Sequence, residues 1–316
     1  MDFLRFCHAA GLMPKHVEAD GKWHRCPTET HPKSRNGAYK LAPDGLVGFV
    51  QDWAISSEPM TWHPDADVVL PPIDYAAIAR RKAEDAERQS DAIRAARRYF
   101  EDSRILRSEH PYLAKKGLTM VGTHGLRVDE DGWLLMPVHR KGAFASLQRI
   151  SPEGQKRFWL DAPTGGGYYV ITRRDAVMTV LCEGLATGLA IFDACPTAQV
   201  IVCLNAGNLA RVAADFMYLR GTALVVIAAD NDHQTAERTG MNPGVTAAHA
   251  AADILGCGVA VPDVVEGSDW LDWRREQIEQ RQAAGLRRTP LPTIHRTVDS
   301  LIGIAMTKSA KMRRIV

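Results

Sequence analysis

Three carboxylates stand directly after apolar runs: Glu183 follows VMTVLC and precedes Gly184, while Asp230 and Asp232 follow ALVVIA. Short Val/Ile-rich runs of this kind read as buried strands. Residues just past the ends of parallel strands line the crevice in which α/β proteins bind ligands. If the two strands are neighbours, the three acids converge on one small volume, and like charges so placed cost free energy unless a cation neutralises them. Oxygen-only donors suit a hard ion, Mg²⁺ or Mn²⁺ in its place, which keeps waters and shares its site with phosphates. Acids at strand ends also serve as helix caps. Spacing alone leaves both readings open.

Other residues invite chemistry less strongly. His24, Cys26 and His31 supply three potential zinc ligands, but no C-x-x-C partner completes the four that a closed structural site needs. Distant Cys7 or His8 could supply a fourth, yet nothing in the spacing demands it, so no zinc is expected. Gly165-Gly166-Gly167 could admit a phosphate to backbone amides. Without a Walker lysine, the run reads instead as a connection before Tyr168-Tyr169. Arg149, Lys156, Arg157, Arg173 and Arg174 crowd the approach to the strands, and Lys33, Arg35 and Lys40 decorate an N-terminal hairpin. Each set is read equally as a nucleic-acid patch or as solvated surface charge. Trp23, Trp53, Trp133 and Trp159 fall in strand-like segments and read as core.

The elements that must position these residues follow from periodicity. Residues 2–12 form a short helical stripe. A turn-rich stretch to Trp53, punctuated by Asn36-Gly37 and Asp44-Gly45, reads as a small sheet of hairpins. A long Ala/Arg/Glu-rich helix runs from Ile73 to about Leu106, and SEHPYLAKKGL forms a shorter one closed by Gly117. Residues 126–161 alternate apolar and polar, and Asp131-Gly132, Lys141-Gly142 and Glu153-Gly154 divide them into about four antiparallel strands. Beyond Arg174, short apolar runs alternate with amphipathic helices, the grammar of a mostly parallel sheet with helices on both faces. The expected organisation is a small β-rich N-terminal region (1–70), a helical linker (71–120), an antiparallel β-rich subdomain (121–173), an α/β domain (174–283) and a basic C-terminal tail (284–316).

At 316 residues the chain has room for two modest domains, and its formal net charge of +2 does not by itself announce a nucleic-acid binder. The six cysteines form no C-x-x-C pair and suit reduced thiols. The start, MDFLRFCHAAG, is too short and charged for a signal peptide, and no apolar stretch is long enough to span a membrane. The expected address is the cytoplasm.

A wider pattern surrounds the acids. E-G-x-A-T-G spans Glu183–Gly188, N-A-G-N spans Asn205–Asn208 and A-D-N-D spans Ala229–Asp232; N-P-G-V-T-A-A begins at Asn242, and D-W-L-D-W ends at Trp273. This ordered set resembles the Toprim domain, in the version found in primases of conjugative plasmids, integrative elements and satellite phages. The late box of those proteins reads D-W-N-D-L, so Asp269 and Asp272 match it while its asparagine and leucine are replaced. The resemblance implies an α/β Toprim catalytic domain preceded by a smaller β-rich α+β region and a linking helix. It implies that Glu183, Asp230 and Asp232 are catalytic and bind Mg²⁺, with Asp269 and Asp272 in support. It further implies that Arg149, Lys156, Arg157, Arg173 and Arg174 help hold template or nucleotide. The implied activity is DNA primase: short RNA primers made from NTPs on single-stranded DNA in plasmid or phage replication. Lacking G-x-x-x-x-G-K-[ST], the chain would rely on a separate replicative helicase. A Toprim nuclease and a non-catalytic single-stranded-DNA-binding accessory protein are the alternatives. A topoisomerase is disfavoured for lack of room for a DNA gate.

Overall fold

The structure, a computed structural model, describes residues 1–52, 59–65, 75–107, 109–118, 124–219, 224–265 and 267–283. Trp53, the Pro71-Pro72 break and the basic tail lie outside them. The chain divides into two compact units, Met1–Glu87 and Arg88–Val316.

In the first unit, α1 (Phe3–Ala9) is capped by the Asp2 carboxylate, which accepts from Arg5 N at 2.8 Å. The strands β1 (His24–Cys26), β2 (Gly37–Leu41), β3 (Gly48–Asp52) and β4 (Met60–Trp62) form an antiparallel meander over Phe3, Cys7, Leu12, Tyr39, Val50 and Trp62. Asp44-Gly45 makes the β2–β3 turn, with Gly45 at φ 68°. Asn36-Gly37 does not form a turn. Gly37 is a central strand residue paired to both Cys26 and Asp52, where a Cβ would come within 2.9 Å of Thr28. The demand for glycine there is steric rather than conformational. Trp23, expected in the core, is 45% exposed.

The helix α2 (Tyr75–Asp102) runs from the first unit into the second. Then follow β5 (Arg104–Ile105), α3 (Pro111–Lys115), β6 (Arg127–Val128), β7 (Leu134–Arg140), β8 (Ala143–Ile150) and β9 (Lys156–Phe158). The five strands make one antiparallel sheet in sequence order. The turn between β7 and β8 places both Lys141 (φ 50°) and Gly142 (φ 79°) in the left-handed region, as a two-residue hairpin requires.

The rest is the α/β layer: β10 (Tyr169–Ile171), β11 (Met178–Cys182), α4 (Leu185–Ala194), β12 (Ala198–Val202), α5 (Ala206–Asp215), β13 (Leu224–Ala228), α6 (His233–Thr239), α7 (Pro243–Leu255), β14 (Gly258–Ala260) and α8 (Trp270–Ala283). The described strands lie in the order β10-β12-β11-β13-β14, all parallel except β10. Strand alternation splits the core in two. Val180, Cys182, Val200, Val202 and Val226 face α4, α8 and the antiparallel sheet, while Leu181, Ile201, Val225 and Ile227 face α5 and α7. Burying each such Leu or Ile contributes about 1.5–3 kcal/mol. The two sheets of this unit thus share one apolar core, which fixes the antiparallel sheet against the strand ends. Among the described residues no helix is long and apolar enough to cross a membrane.

Candidate active site at the ends of the parallel strands

Because β11 and β13 are adjacent, with Leu181 opposite Ile227, Glu183 stands level with Ala229 and beside Asp230. The Glu183 carboxylate accepts from the Ala206 N–H at the start of α5. Among the described residues, two carboxylate oxygens, Glu183 Oε1 and Asp230 Oδ1, are buried with no hydrogen-bond partner. Burial, then the neighbouring charges of Asp232 and Asp269, pushes Glu183 up to about 7. Burial, then Glu183, Asp269 and Asp232, pushes Asp230 up to about 8. Such groups cost free energy as they stand, and a cation is what would neutralise them.

The remaining boxes brace this pair. Asp232 N donates to Asn242 Oδ1 at 3.1 Å, and Asp232 Oδ2 accepts from Gly244 N at 3.0 Å. Asn242 Nδ2 also donates to Asn231 Oδ1 at 2.9 Å. A Cβ on Gly244 would come within 2.4 Å of the Asp230 carbonyl oxygen, so only glycine lets α7 pass under the Asp230–Asp232 loop. Asp269 caps α8, with Oδ1 accepting from Leu271 N at 2.8 Å and Asp272 N at 2.9 Å. Its Oδ2 accepts from the Thr187 hydroxyl at 3.2 Å, which ties the late box to the E-G-x-A-T box. Asp272 is not brought to the acids. Its Oδ2 accepts from Ser268 N at 3.0 Å and from Asp269 N at 3.4 Å, the second closing the reciprocal cap, and its Oδ1 meets Arg275 at 3.0 Å.

A cavity of about 500 Å³ opens over Glu183, Asp230 and Asp269, and Lys115, Lys116 and Lys156 line its other side. Lys156 belongs to a residue exposed overall, yet burial of its ammonium and the nearby Lys116 lower its pKa, while Asp269 and Asp230 oppose them. Lys115 and Lys116 carry no periodic or motif signal in the sequence beyond being adjacent at a helix end. The pairing of a short upstream helix with strand ends about seventy residues later is a tertiary fact.

Of the five basic residues singled out in the sequence, only Lys156 reaches the cavity. Arg149 is tied into the sheet: it pairs with Asp129 at 3.0 Å and lies 5.3 Å from the Tyr99 ring centroid and 4.9 Å from that of Trp133. Arg157 alternates to the face opposite Lys156 and lies over Trp133. Arg173 sits 4.1 Å over Phe192 and donates to its carbonyl at 2.9 Å. Arg173 and exposed Arg174 precede β11, so they lie at the opposite end of the sheet from the carboxylates.

In the first unit, Cys26 and Cys7 are buried thiols, and burial pushes Cys7 up to about 12. His24 stacks on Tyr39 and approaches Asp20 at 2.9 Å, and His31 is exposed beside Thr30. Among the described residues, three or more ligand atoms come mutually within 4.8 Å only at Glu18, Asp20 and His24, so neither the His24, Cys26 and His31 set nor the strand-end acids are drawn together so tightly.

The asparagine that ends N-A-G-N is a structural hub. Buried Asn208 donates to Gly167 O at 2.7 Å and Cys203 O at 2.9 Å, and its Oδ1 accepts from Gly166 N at 2.7 Å. Asn208→Leu strands these groups without partners and is expected to cost about 2–4 kcal/mol in a urea titration. An unchanged midpoint would show that the hub carries no stability.

Residues 178–279 match the Toprim domain family. Domains of this family bind Mg²⁺. A DNA primase TraC of Escherichia coli is 30% identical over 272 residues, covering 81% of this chain and 25% of the relative. A second DNA primase TraC of Escherichia coli is 26% identical over 282 residues, covering 81% of this chain and 19% of the relative. The chain therefore spans a quarter or less of these curated relatives. The primase fragment of the bacteriophage T7 primase-helicase protein aligns with 84% of this chain and 99% of that one, at 11% identity and a TM-score of 0.40. Residues 178–279 thus match the Toprim domain family, and most of the chain is similar to part of the TraC DNA primases.

Proposed function

We propose that this chain is the catalytic core of a DNA primase. It makes short RNA primers on single-stranded DNA by Mg²⁺-dependent nucleotidyl transfer, in the replication of a plasmid, phage or other mobile element. The single observation that carries the reading is the opposition of two orphaned, buried carboxylate oxygens to three lysines across one cavity. A magnesium–triphosphate pair matches both walls at once, since the acids would hold the ion and the lysines the phosphates.

Glu183, Asp230 and Asp232 are assigned as the metal-binding and catalytic acids, with Asp269 at their edge and Asp272 supporting it as a cap. Bound there, the ion would neutralise charge developing on the triphosphate. In each cycle the primer 3′-hydroxyl oxygen bonds to the α-phosphorus, the α–β bridging bond breaks and pyrophosphate leaves. Glu183, lining the same cavity, is assigned to receive the hydroxyl's proton. Lys115, Lys116 and Lys156 orient the leaving phosphates. We assign the chain to the cytoplasm, consistent with its buried free thiols, and unwinding to a separate replicative helicase.

Incubation with single-stranded DNA, Mg²⁺ and labelled NTPs tests the reading: short ribo-oligonucleotides are expected. Template cleavage without NTPs would replace it with a nuclease, and binding without either product would make the chain an accessory protein. Lys156→Ala is expected to raise the NTP KM about 10–100-fold through loss of one charge-assisted phosphate contact, as read from initial rates. An unchanged KM would remove Lys156 from the nucleotide site.

A further inference from the structure

The glycine run that the sequence presents as a mere connection is immobilised. Gly166 (φ 73°) and Gly167 are both held by Asn208, and Gly167 N also bonds to Thr164 O at 2.9 Å. Two of the three glycines are explained by this packing: Gly166 by its left-handed backbone, and Gly167 because a Cβ would come within 2.6 Å of Val138 and 2.8 Å of Thr164 O. Gly165 is not. A Cβ there would meet only the flexible end of Arg211, whose Nη1 lies 2.9 Å from that position. Partly exposed Gly165 thus has its side-chain position bordered by a guanidinium.

A second guanidinium joins it, since Arg140 Nε lies 3.7 Å from the Cβ position of Gly166. Asp215 Oδ2 lies equally near, so the local balance is one net positive charge. Both arginines are exposed, and among the described residues neither forms an ion pair. The turn also sits at the ligand-binding end of the sheet: Tyr169 pairs with Val202, the last residue of β12, and Leu204 both borders the carboxylate cavity and abuts Gly167. With strands about 4.8 Å apart, the turn lies two strands, or about 10 Å, from Glu183.

We infer that Gly165, Arg140 and Arg211 form a subsite for one backbone phosphate of a polynucleotide strand leaving the active-site cavity. The glycine lets the phosphate approach the main chain, and the two arginines supply forked donors. Its distance from the carboxylates separates it from the nucleotide's own phosphates, which the three lysines face.

This inference rests on the polynucleotide reading above, and the test separates the two. Binding of a fluorescent single-stranded oligodeoxynucleotide is followed by anisotropy across salt concentrations, for wild type, Arg140→Ala/Arg211→Ala, Gly165→Ala and a control pair, Arg98→Ala/Arg174→Ala. Each phosphate contact contributes about 0.7 to the slope of log K against log salt. The double variant at the turn is expected to lose about that much and the control pair less. Gly165→Ala keeps every charge and a backbone that alanine adopts, yet is expected to weaken binding about ten-fold. Mg·ATP affinity stays constant across the set. Wild-type slope and affinity in both turn variants would overturn the subsite, as would a loss confined to Mg·ATP. No salt-dependent binding by wild type would overturn the polynucleotide reading along with it.

Discussion

Asp230→Asn is expected to abolish primer synthesis, by at least about 10³-fold in kcat, while making the metal-free protein more stable. The two effects have one cause. Asp230 Oδ1 is buried without a partner among the described residues, and its charge faces Glu183, Asp269 and Asp232. An amide keeps the shape and removes the repulsion, so the folded chain gains about 1–3 kcal/mol without metal and loses the cation. Glu183→Gln should behave alike, with the Ala206 N–H still satisfied by the amide oxygen. Melting in EDTA alongside a synthesis assay checks the pairing. A variant that is inactive and destabilised would mean that these acids hold the fold rather than the ion.

Stability without metal should also depend on pH in a direction opposite to that of an ordinary salt-bridged carboxylate. In the folded chain Glu183 is raised from 4.5 to about 7 and Asp230 from 3.8 to about 8, so the folded state keeps protons that the unfolded chain has released. Their contribution is therefore favourable near pH 5 and is lost as pH rises through 7 and 8. In EDTA the Tm should fall by about 5 °C or more between pH 5.5 and 8.5, beyond any change in a Glu183→Gln/Asp230→Asn double variant. Adding Mg²⁺ should restore it, more strongly at the higher pH, because the ion displaces those protons. Parallel pH profiles for wild type and the double variant would contradict the coupling.

The acids were legible in the sequence because their position depends on local facts: an uninterrupted strand, then a carboxylate, then a helix. Glu183 and Asp230 meet because β11 and β13 are neighbours, which two Val/Ile runs alone leave open. The N-P-G box has a physical meaning only in three dimensions, where Gly244 clears the Asp230 carbonyl. Asp272 shows the limit of box matching. Its spacing from Asp269 equally suits a reciprocal helix cap, and that is the geometry it adopts. The basic residues were least legible. Charge in sequence proximity to the strands says nothing of which end of a strand it occupies, so Arg173 and Arg174 fall at the far pole while Lys115 and Lys116 arrive from α3. Alternation along β9 could have separated Lys156 from Arg157, had the cavity side of that strand been known.

The central claim, that the strand-end carboxylates gather a divalent cation, is tested most directly by titrating the protein with Mn²⁺ and following the free ion by electron paramagnetic resonance. Wild type should take up Mn²⁺ competitively with Mg²⁺, and Glu183→Gln/Asp230→Asn should lose that uptake while remaining folded. A folded double variant that binds Mn²⁺ as tightly as wild type would contradict the account.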